Sequence, residues 1–161
     1  MLETASVAAN ETRQPPTADS LLVAPGYLAR RMYQSYVALW AREVDPVMTG
    51  PQFAVLTATQ ACPGVDQRSL AISVALDTST MTDIVRRLVQ RGLIRRERTV
   101  EDGRRRLLYL TEDGAAQLEE VTRRSRALDE KLMSGFSDEE RKRILQGLLE
   151  LGGHWEALAA G

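Results

Sequence analysis

The chain has 161 residues, of which 43% are hydrophobic and 27% are charged, and its formal net charge is −1. These proportions are typical of a soluble globular protein, and no apolar run approaches the ~20 residues that span a bilayer. The first twenty residues lack the apolar core of a signal peptide, so we expect a cytoplasmic protein with no membrane partner. A single cysteine, Cys62, and a single histidine, His154, exclude an internal disulfide and a typical structural zinc site.

The charge is unevenly distributed along the chain. From Arg86 to Arg106 there are nine arginines and three acidic residues, so this segment carries +6 and the remainder carries −7. Such asymmetry predicts a local anionic partner.

The N-terminal part divides into a tail and a helix. Residues 1–20 combine proline, threonine and serine with no sustained periodicity, which predicts a mobile tail. Within residues 21–47, a helical pattern runs from Gly26 to about Val44 and ends at Asp45-Pro46.

Two shorter helices follow. Pro51 suits the first turn of the second helix, which stops at Pro63-Gly64. The side chain of Asp66 can cap the free amides that open the third helix, which buries Leu70 and Ala71.

The fourth helix has an apolar face and a polar face. It begins at Asp77, and Gly92 is placed to end it as a left-handed cap. Met81, Ile84, Val85, Leu88 and Val89 share the apolar face. The free amides at its N-terminus predict a site for a phosphate oxygen.

After Gly92 the hydrophobic period changes to two. The segments 93–99 and 104–111 therefore predict a β-hairpin with Asp102-Gly103 in its turn.

Two long helices occupy residues 112–161. Apolar stripes recur every three or four residues, from Leu118 to Leu132 and from Ile144 to Leu158. Ser137 and Glu140 form a capping box between them. Because the rest of the chain offers too little surface to cover both stripes, these helices predict a dimer interface.

The order of elements predicts a mainly α fold with a small β-hairpin wing. Residues 48–111 form a winged helix-turn-helix, and the N- and C-terminal helices form the dimer. A polar helix fits the major groove of DNA, about 12 Å wide, while hairpin arginines suit a narrow minor groove. The candidate DNA-binding residues are Gln67, Arg68, Thr78, Ser79, Thr80, Thr82, Asp83, Arg86, Arg87, Arg96, Arg98, Asp102, Arg104, Arg105 and Arg106.

From about Tyr27 to Leu158 the chain resembles the MarR family of bacterial transcription regulators. The motifs that carry the resemblance are LDTSTMTDIVRRLVQRGLIRR and EDGRRRLLYLTEDG. The second is the more specific, since Asp102, Arg104, Leu110, Thr111 and Gly114 match the family's wing pattern. Thr99 and Gly103 depart from it, because the family often has Asp and Arg at these places.

The resemblance implies a homodimer on a pseudo-palindromic operator in double-stranded DNA, usually a repressor that a small ligand releases. It implies that Arg104 enters the minor groove and that Asp102 holds the hairpin tip in shape.

In relatives the effector pocket lies between the DNA-binding lobe and the dimer helices, and the first helix supplies part of its wall. Here the candidate ligand-binding residues are Arg30, Arg31, Tyr33, Tyr36, Trp40 and Phe53. They favour an aromatic carboxylate, such as a phenolic acid or its coenzyme A thioester, through stacking and a bidentate guanidinium. The alternative is that this aromatic stripe packs in the core or in the dimer.

Other functions are weaker alternatives. A non-specific architectural DNA-binding protein would use the same wing, and a redox regulator would use Cys62. We expect Cys62 instead to be a small buried hydrophobic residue. The sequence contains no catalytic constellation and no pattern for a cofactor or a metal, so we do not expect an enzyme.

Overall fold

Helices dominate the computed structural model, which describes residues 17–98 and 106–161. In chain order the elements are α1 Asp19–Leu22, α2 Pro25–Glu43, α3 Gly50–Ala61, β1 Val65–Asp66, α4 Gln67–Ser73, α5 Thr78–Gln90, β2 Ile94–Arg98, β3 Arg106–Leu110, α6 Glu112–Leu132 and α7 Asp138–Ala160. The predicted mainly α fold with a small sheet is confirmed.

The chain divides into two units, Met1–Tyr36 and Val37–Gly161. The first contains α1 and the N-terminal half of α2, and it exposes the apolar side chains of Leu28 and Met32. The predicted tail lies mostly outside the described residues, but its last two positions open α1, a single turn that the sequence did not predict.

The second unit begins with the C-terminal half of α2, and local capping sets the starts of α3 and α4. The hydroxyl of Thr49 accepts the Gln52 amide N–H at 3.4 Å, and the side-chain oxygen of Gln52 accepts the Thr49 N–H at 3.2 Å. Asp66 caps α4 as predicted, because its carboxylate accepts the amides of Arg68 and Ser69 at 3.1 Å each.

The small sheet has three antiparallel strands in the order β1-β3-β2. In the predicted hairpin, Arg96 of β2 lies opposite Leu108 of β3, and Arg98 lies opposite Arg106. The hairpin strands are confirmed, whereas the predicted turn lies outside the described residues. The third strand, β1, pairs with β3 and was not predicted, because two residues show no period.

The core of the second unit lies between α3, α4, α5, α6 and the sheet. Its largest fully buried apolar side chains include Met48, Leu56, Leu70, Met81, Leu88, Ile94, Leu108 and Leu128. The predicted apolar face of α5 is buried at Met81, Ile84, Val85 and Leu88.

The stripe of α6 belongs to this core, which corrects the prediction that it forms a dimer surface. Leu118, Val121, Ser125 and Leu128 are buried within the chain, and α6 packs on α3 and β3. Only Leu132, at the end of the stripe, stays exposed. The winged domain therefore covers one of the two long helices by itself.

The stripe of α7 differs, because no residue of α7 is buried in the single chain. The predicted Ser137–Glu140 capping box is present at its start. Its exposed large apolar side chains are Leu145, Leu148, Leu149, Leu151, Trp155 and Leu158. Contiguous exposed apolar surface of this kind is typical of an interface.

Thr111 joins three elements at one point, which we call the Thr111 junction. Its hydroxyl donates to the carbonyl of Gly92 at 2.6 Å and accepts the amide N–H of Gly114 at 3.0 Å. Its own N–H donates to the carbonyl of Leu93 at 3.1 Å. Gly92 has the left-handed conformation predicted for it, with φ +72°. The end of α5, the end of β3 and the start of α6 therefore form one hydrogen-bonded corner.

Replacing Gly114 by alanine should break this corner. A Cβ at Gly114 would lie 2.0 Å from the carbonyl oxygen of Leu93, and this backbone atom cannot move alone. We expect Gly114→Ala to lower the free energy of unfolding by on the order of 3 kcal/mol in urea denaturation.

The matched control is the reverse exchange at Ala116, an exposed residue two positions further along α6. Ala116→Gly should cost about 1 kcal/mol through helix propensity alone. A Gly114→Ala variant as stable as the wild type would contradict the close approach.

Candidate nucleic-acid interface

A groove runs between α4, α5 and the hairpin. Its lining residues are Asp66, Gln67, Arg68, Ser69, Ala71, Thr78, Met81, Thr82, Arg96 and Arg106. Six of these were predicted to bind DNA from separate segments of the sequence. The fold therefore brings the start of α4, the polar face of α5 and two hairpin arginines onto one surface.

The polar face of α5 is exposed along its length. The exposed residues are Thr78, Ser79, Thr80, Thr82, Asp83, Arg86 and Arg87, all of them predicted candidates. Arg86 pairs with Asp83 at 3.0 Å, and both side chains are more than half exposed. Exposed pairs of this type contribute little to stability, so the guanidinium can exchange the carboxylate for another partner.

The N-terminus of α5 differs from the prediction. The carboxylate of Asp77 accepts the amides of Ser79 and Thr80 at 2.9 Å each, and it also accepts both hydroxyls. Hydrogen bonds from the hydroxyls of Ser79 and Thr80 hold the pKa of Asp77 well below its usual range, and the hydrogen bonds from the backbone amides add a smaller effect. The predicted phosphate site at these two amides is therefore wrong: a carboxylate already occupies them, and its charge repels phosphate.

The hydroxyl of Thr82 forms hydrogen bonds within α5 and with α4, so its proton is not free for another partner. Its hydroxyl donates to the carbonyl of Thr78 at 2.8 Å and accepts a hydrogen bond from the side-chain amide of Gln67 at 3.1 Å. Because a hydroxyl has one proton, Thr82 can offer further partners only an acceptor. Thr82 thereby fixes the position of Gln67 in the groove.

The arginines on the two faces of the hairpin have different surroundings. On the outer face, Arg95 forms an ion pair with Glu97, and its guanidinium lies 4.4 Å from the ring centre of Tyr109. On the groove face, Arg96 and Arg106 lie together, and the Nε of Arg96 is buried with no hydrogen-bond partner in the described part of the chain. Burial, followed by repulsion from Arg106, lowers the pKa of Arg96.

The remaining hairpin candidates cannot be placed on this surface. The side chain of Arg98 and residues Asp102, Arg104 and Arg105 lie outside the described part of the structure. Their roles stay predictions.

The candidate ligand residues are divided between the two units of the chain. Trp40 is only 3% exposed, its indole N–H donates to the carbonyl of Met48, and its ring centre lies 5.3 Å from that of Phe53. Trp40 is thus packed in the core, as the alternative interpretation of the aromatic stripe expects, and its ligand-binding role stays a prediction. Phe53 is half-buried beside it.

The other ligand candidates lie in the first unit of the chain. Arg30, Arg31 and Tyr33 are exposed, and Tyr36 is half-buried. The guanidinium of Arg30 lies 5.5 Å from the ring centre of Tyr27. Cations and aromatic rings are therefore accessible on this part of α2.

Cys62 is exposed, so the prediction of a buried residue is wrong. It follows the last turn of α3, where its φ of −132° leaves the helical path, and the apolar period of the helix no longer directs it inward.

Two further observations concern metal ions and membranes. Residues 17–98 and 106–161 contain no group of three or more His, Cys, Asp or Glu side chains that could hold a metal ion. Within the same ranges, no helix combines the length and the apolar composition needed to cross a membrane.

Known proteins are similar to this chain. A family model described as MarR family matches residues 48–105. The transcriptional regulator HosA of Escherichia coli is 32% identical over 117 residues, which cover 73% of this chain and 86% of HosA.

Two solved structures are similar over most of the chain. The PcaV transcriptional regulator from Streptomyces coelicolor, in complex with its natural ligand, is 35% identical with a TM-score of 0.81, covering 86% of this chain and 98% of PcaV. Bordetella bronchiseptica BpsR, whose DNA binding is regulated by 6-hydroxynicotinic acid, is 29% identical with a TM-score of 0.73, covering 79% and 97%.

Proposed function

Because the chain belongs to the MarR family of transcription regulators, we propose that it is a homodimeric repressor that binds a pseudo-palindromic operator and is released by a small aromatic ligand. The observation that carries the DNA-binding part is the shared surface of α4, α5 and the hairpin. A convex polar helix beside a basic groove fits the major groove and the adjoining backbone.

Sequence-specific binding is favoured over architectural binding by α5. Its exposed face presents hydroxyl, carboxylate and guanidinium groups, which can distinguish base edges, whereas backbone binding needs cations alone. Selection from randomised duplexes, followed by comparison of the selected and a scrambled duplex at one salt concentration, tests this choice. Equal affinity for both duplexes would favour the architectural alternative.

Dimerisation is supported by α7. A helix of 23 residues with no buried side chain is not a stable arrangement for a chain on its own, because its apolar stripe stays in water. A second copy offers an identical stripe, and two-fold symmetry places two α5 helices on two half-sites.

The proposed effector is an aromatic acid. The ligand of BpsR is 6-hydroxynicotinic acid, and PcaV also binds a natural ligand. In this chain, Arg30 and Arg31 of α2 can bind a carboxylate, and Tyr33 and Tyr36 of the same helix can stack on a ring.

Removing the predicted minor-groove arginine should weaken operator binding. We expect Arg104→Ala to reduce affinity for the selected duplex by about 1–3 kcal/mol, the scale of one good groove contact. A gel-shift titration at fixed salt measures the change. Arg126→Ala, at an exposed site on α6, serves as the control and should bind like the wild type. Unchanged affinity in Arg104→Ala would reject the assigned contact.

A charge on the α7 stripe should separate the dimer. Light scattering of the wild type should give twice the chain mass of 17.9 kDa. Leu148→Asp should give the single mass, because its carboxylate would have to be buried between two copies. Gln146→Glu adds a carboxylate outside the stripe and should stay dimeric. A wild-type protein that is monomeric at micromolar concentration would overturn the dimer.

A true effector should stabilise the protein and release DNA. In a thermal-shift screen of aromatic acids and their coenzyme A thioesters, we expect a hit to raise the melting temperature and to dissociate the selected duplex, because it binds the two conformations with different affinity. The carboxamide analogue of each hit tests the role of arginine. An analogue that binds as tightly as the acid would exclude carboxylate recognition.

A further inference from the structure

Arg96 and Arg106 form a cationic pair in the groove between α4, α5 and the hairpin. They are diagonal neighbours on one face of the hairpin, since Arg96 lies opposite Leu108 and Arg106 precedes Leu108 by two residues. Neither guanidinium forms an ion pair with a carboxylate among the described residues. Two like charges held together and partly desolvated destabilise the free protein.

The neighbouring arginine shows that the chain can avoid this arrangement. Arg95 is one residue away on the same strand, yet it is paired with Glu97 and stacked on Tyr109. The strand therefore neutralises the arginine on its outer face, whereas the arginine on its groove face has no carboxylate partner within residues 17–98 and 106–161. A cationic pair of this type is complementary to an oxyanion, which accepts charge-assisted hydrogen bonds from both guanidinium groups.

We propose that Arg96 and Arg106 bind one phosphodiester group of the DNA backbone in each half-site, as a phosphate clamp. This proposal rests on the proposed DNA-binding function and names the groove as the place where the backbone is held. The groove also borders α5 through Thr78 and Thr82. When α5 lies in the major groove, the flanking sugar-phosphate backbone passes next to its sides, where α4 and the hairpin are found.

The first turn of α5 does not compete for this role. Asp77 occupies the amides of Ser79 and Thr80 and adds a negative charge. Thr82 uses its hydroxyl proton on Thr78. The donors that remain for a phosphate on this surface come largely from arginine side chains, and Arg96 and Arg106 are the two hairpin arginines that line the groove among the described residues.

The clamp predicts opposite effects on folding and on binding. Removing one guanidinium relieves repulsion in the free protein, so Arg96→Gln should melt at a temperature no lower than the wild type. The same change removes a phosphate partner, so it should weaken DNA binding. A purely structural arginine would show the reverse pattern.

The experiment measures the affinity of the dimer for the selected duplex as a function of salt concentration. Each neutralised phosphate contributes a slope of about −0.9 to log K against log salt, so one clamped phosphate in each of two half-sites accounts for about 1.8 of the slope magnitude. Arg96→Gln or Arg106→Gln should remove part of this amount, and the double variant should remove all of it. Affinity at 0.1 M salt should fall roughly 10- to 100-fold. The loss should be equal for the selected and the scrambled duplex, because a phosphate carries no sequence information.

Arg95→Gln is the matched control, since it removes the same charge from the same strand on the opposite face. Its slope should equal that of the wild type. Arg96→Lys should restore most of the slope because it keeps the charge. If Arg96→Gln and Arg95→Gln change the slope equally, the effect is general electrostatics and the clamp is rejected. If Arg96→Gln melts lower and keeps the wild-type slope, the residue is structural and the clamp is also rejected.

A duplex with one methylphosphonate per half-site tests the partner directly. Scanning this neutral group along the backbone should reveal one position that weakens wild-type binding and has no further effect on Arg96→Gln. Inorganic phosphate is the competing source of the same chemistry. If it stabilises the wild type through Arg96 while the DNA slope of Arg96→Gln stays unchanged, the site binds a free anion and the DNA assignment falls.

The outcomes separate the clamp from the function on which it rests. Specific binding to the selected duplex with wild-type slopes in both variants overturns the clamp alone. A wild-type protein that binds selected and scrambled duplexes equally overturns the proposed sequence-specific regulator, while a changed slope in Arg96→Gln would still support the clamp.

Discussion

The hydroxyl of Thr111 is the contact on which the geometry of the whole surface depends. It bonds to the residue that ends α5 and to the amide that opens α6, while its backbone extends β3. The absence of a side chain at Gly114 allows α6 to approach the carbonyl of Leu93. Because these groups share one corner, α6 cannot shift far without disturbing the end of α5 or the base of the hairpin. Thr111 and Gly114 of the wing motif therefore have a structural role, in addition to any role in DNA contact.

Strand alternation converts a basic segment into two surfaces with different properties. In sequence, Arg95 and Arg96 are equivalent members of one arginine run. In the hairpin their side chains lie on opposite faces, and Glu97 and Tyr109 compensate the first while Arg106 repels the second. Among the described hairpin residues, the arginines without a carboxylate partner are thus those that line the groove with α4 and α5. An anionic partner that binds on that face would offset the repulsion between Arg96 and Arg106.

Sequence predicted the features that are fixed locally and misjudged those fixed by distant contacts. The Asp66 cap, the start of α5 at Asp77 and the Gly92 terminus follow from neighbouring residues, so the helix boundaries were predictable. The stripes of α6 and α7 have the same spacing, yet α3 and β3 cover the first and nothing in the described chain buries the second. The spacing of apolar residues shows that one face of a helix is apolar, but it does not show which part of the molecule covers that face. Trp40 illustrates the same limit, because only the fold brings the carbonyl of Met48 to its indole.

Asp77 explains why affinity and sequence preference can be separated on this surface. A helix N-terminus with free amides attracts phosphate, so the first turn of α5 would then bind the DNA backbone rather than base edges. The carboxylate of Asp77 satisfies two of these amides from within the chain and takes the hydroxyl protons of Ser79 and Thr80. With their protons on Asp77, these hydroxyls can offer further partners only an acceptor, which suits hydrogen-bond donors on base edges and disfavours phosphate. In the proposed complex, backbone binding then falls to arginines in the groove, where it depends on salt, while base contact stays with α5, where it depends on sequence.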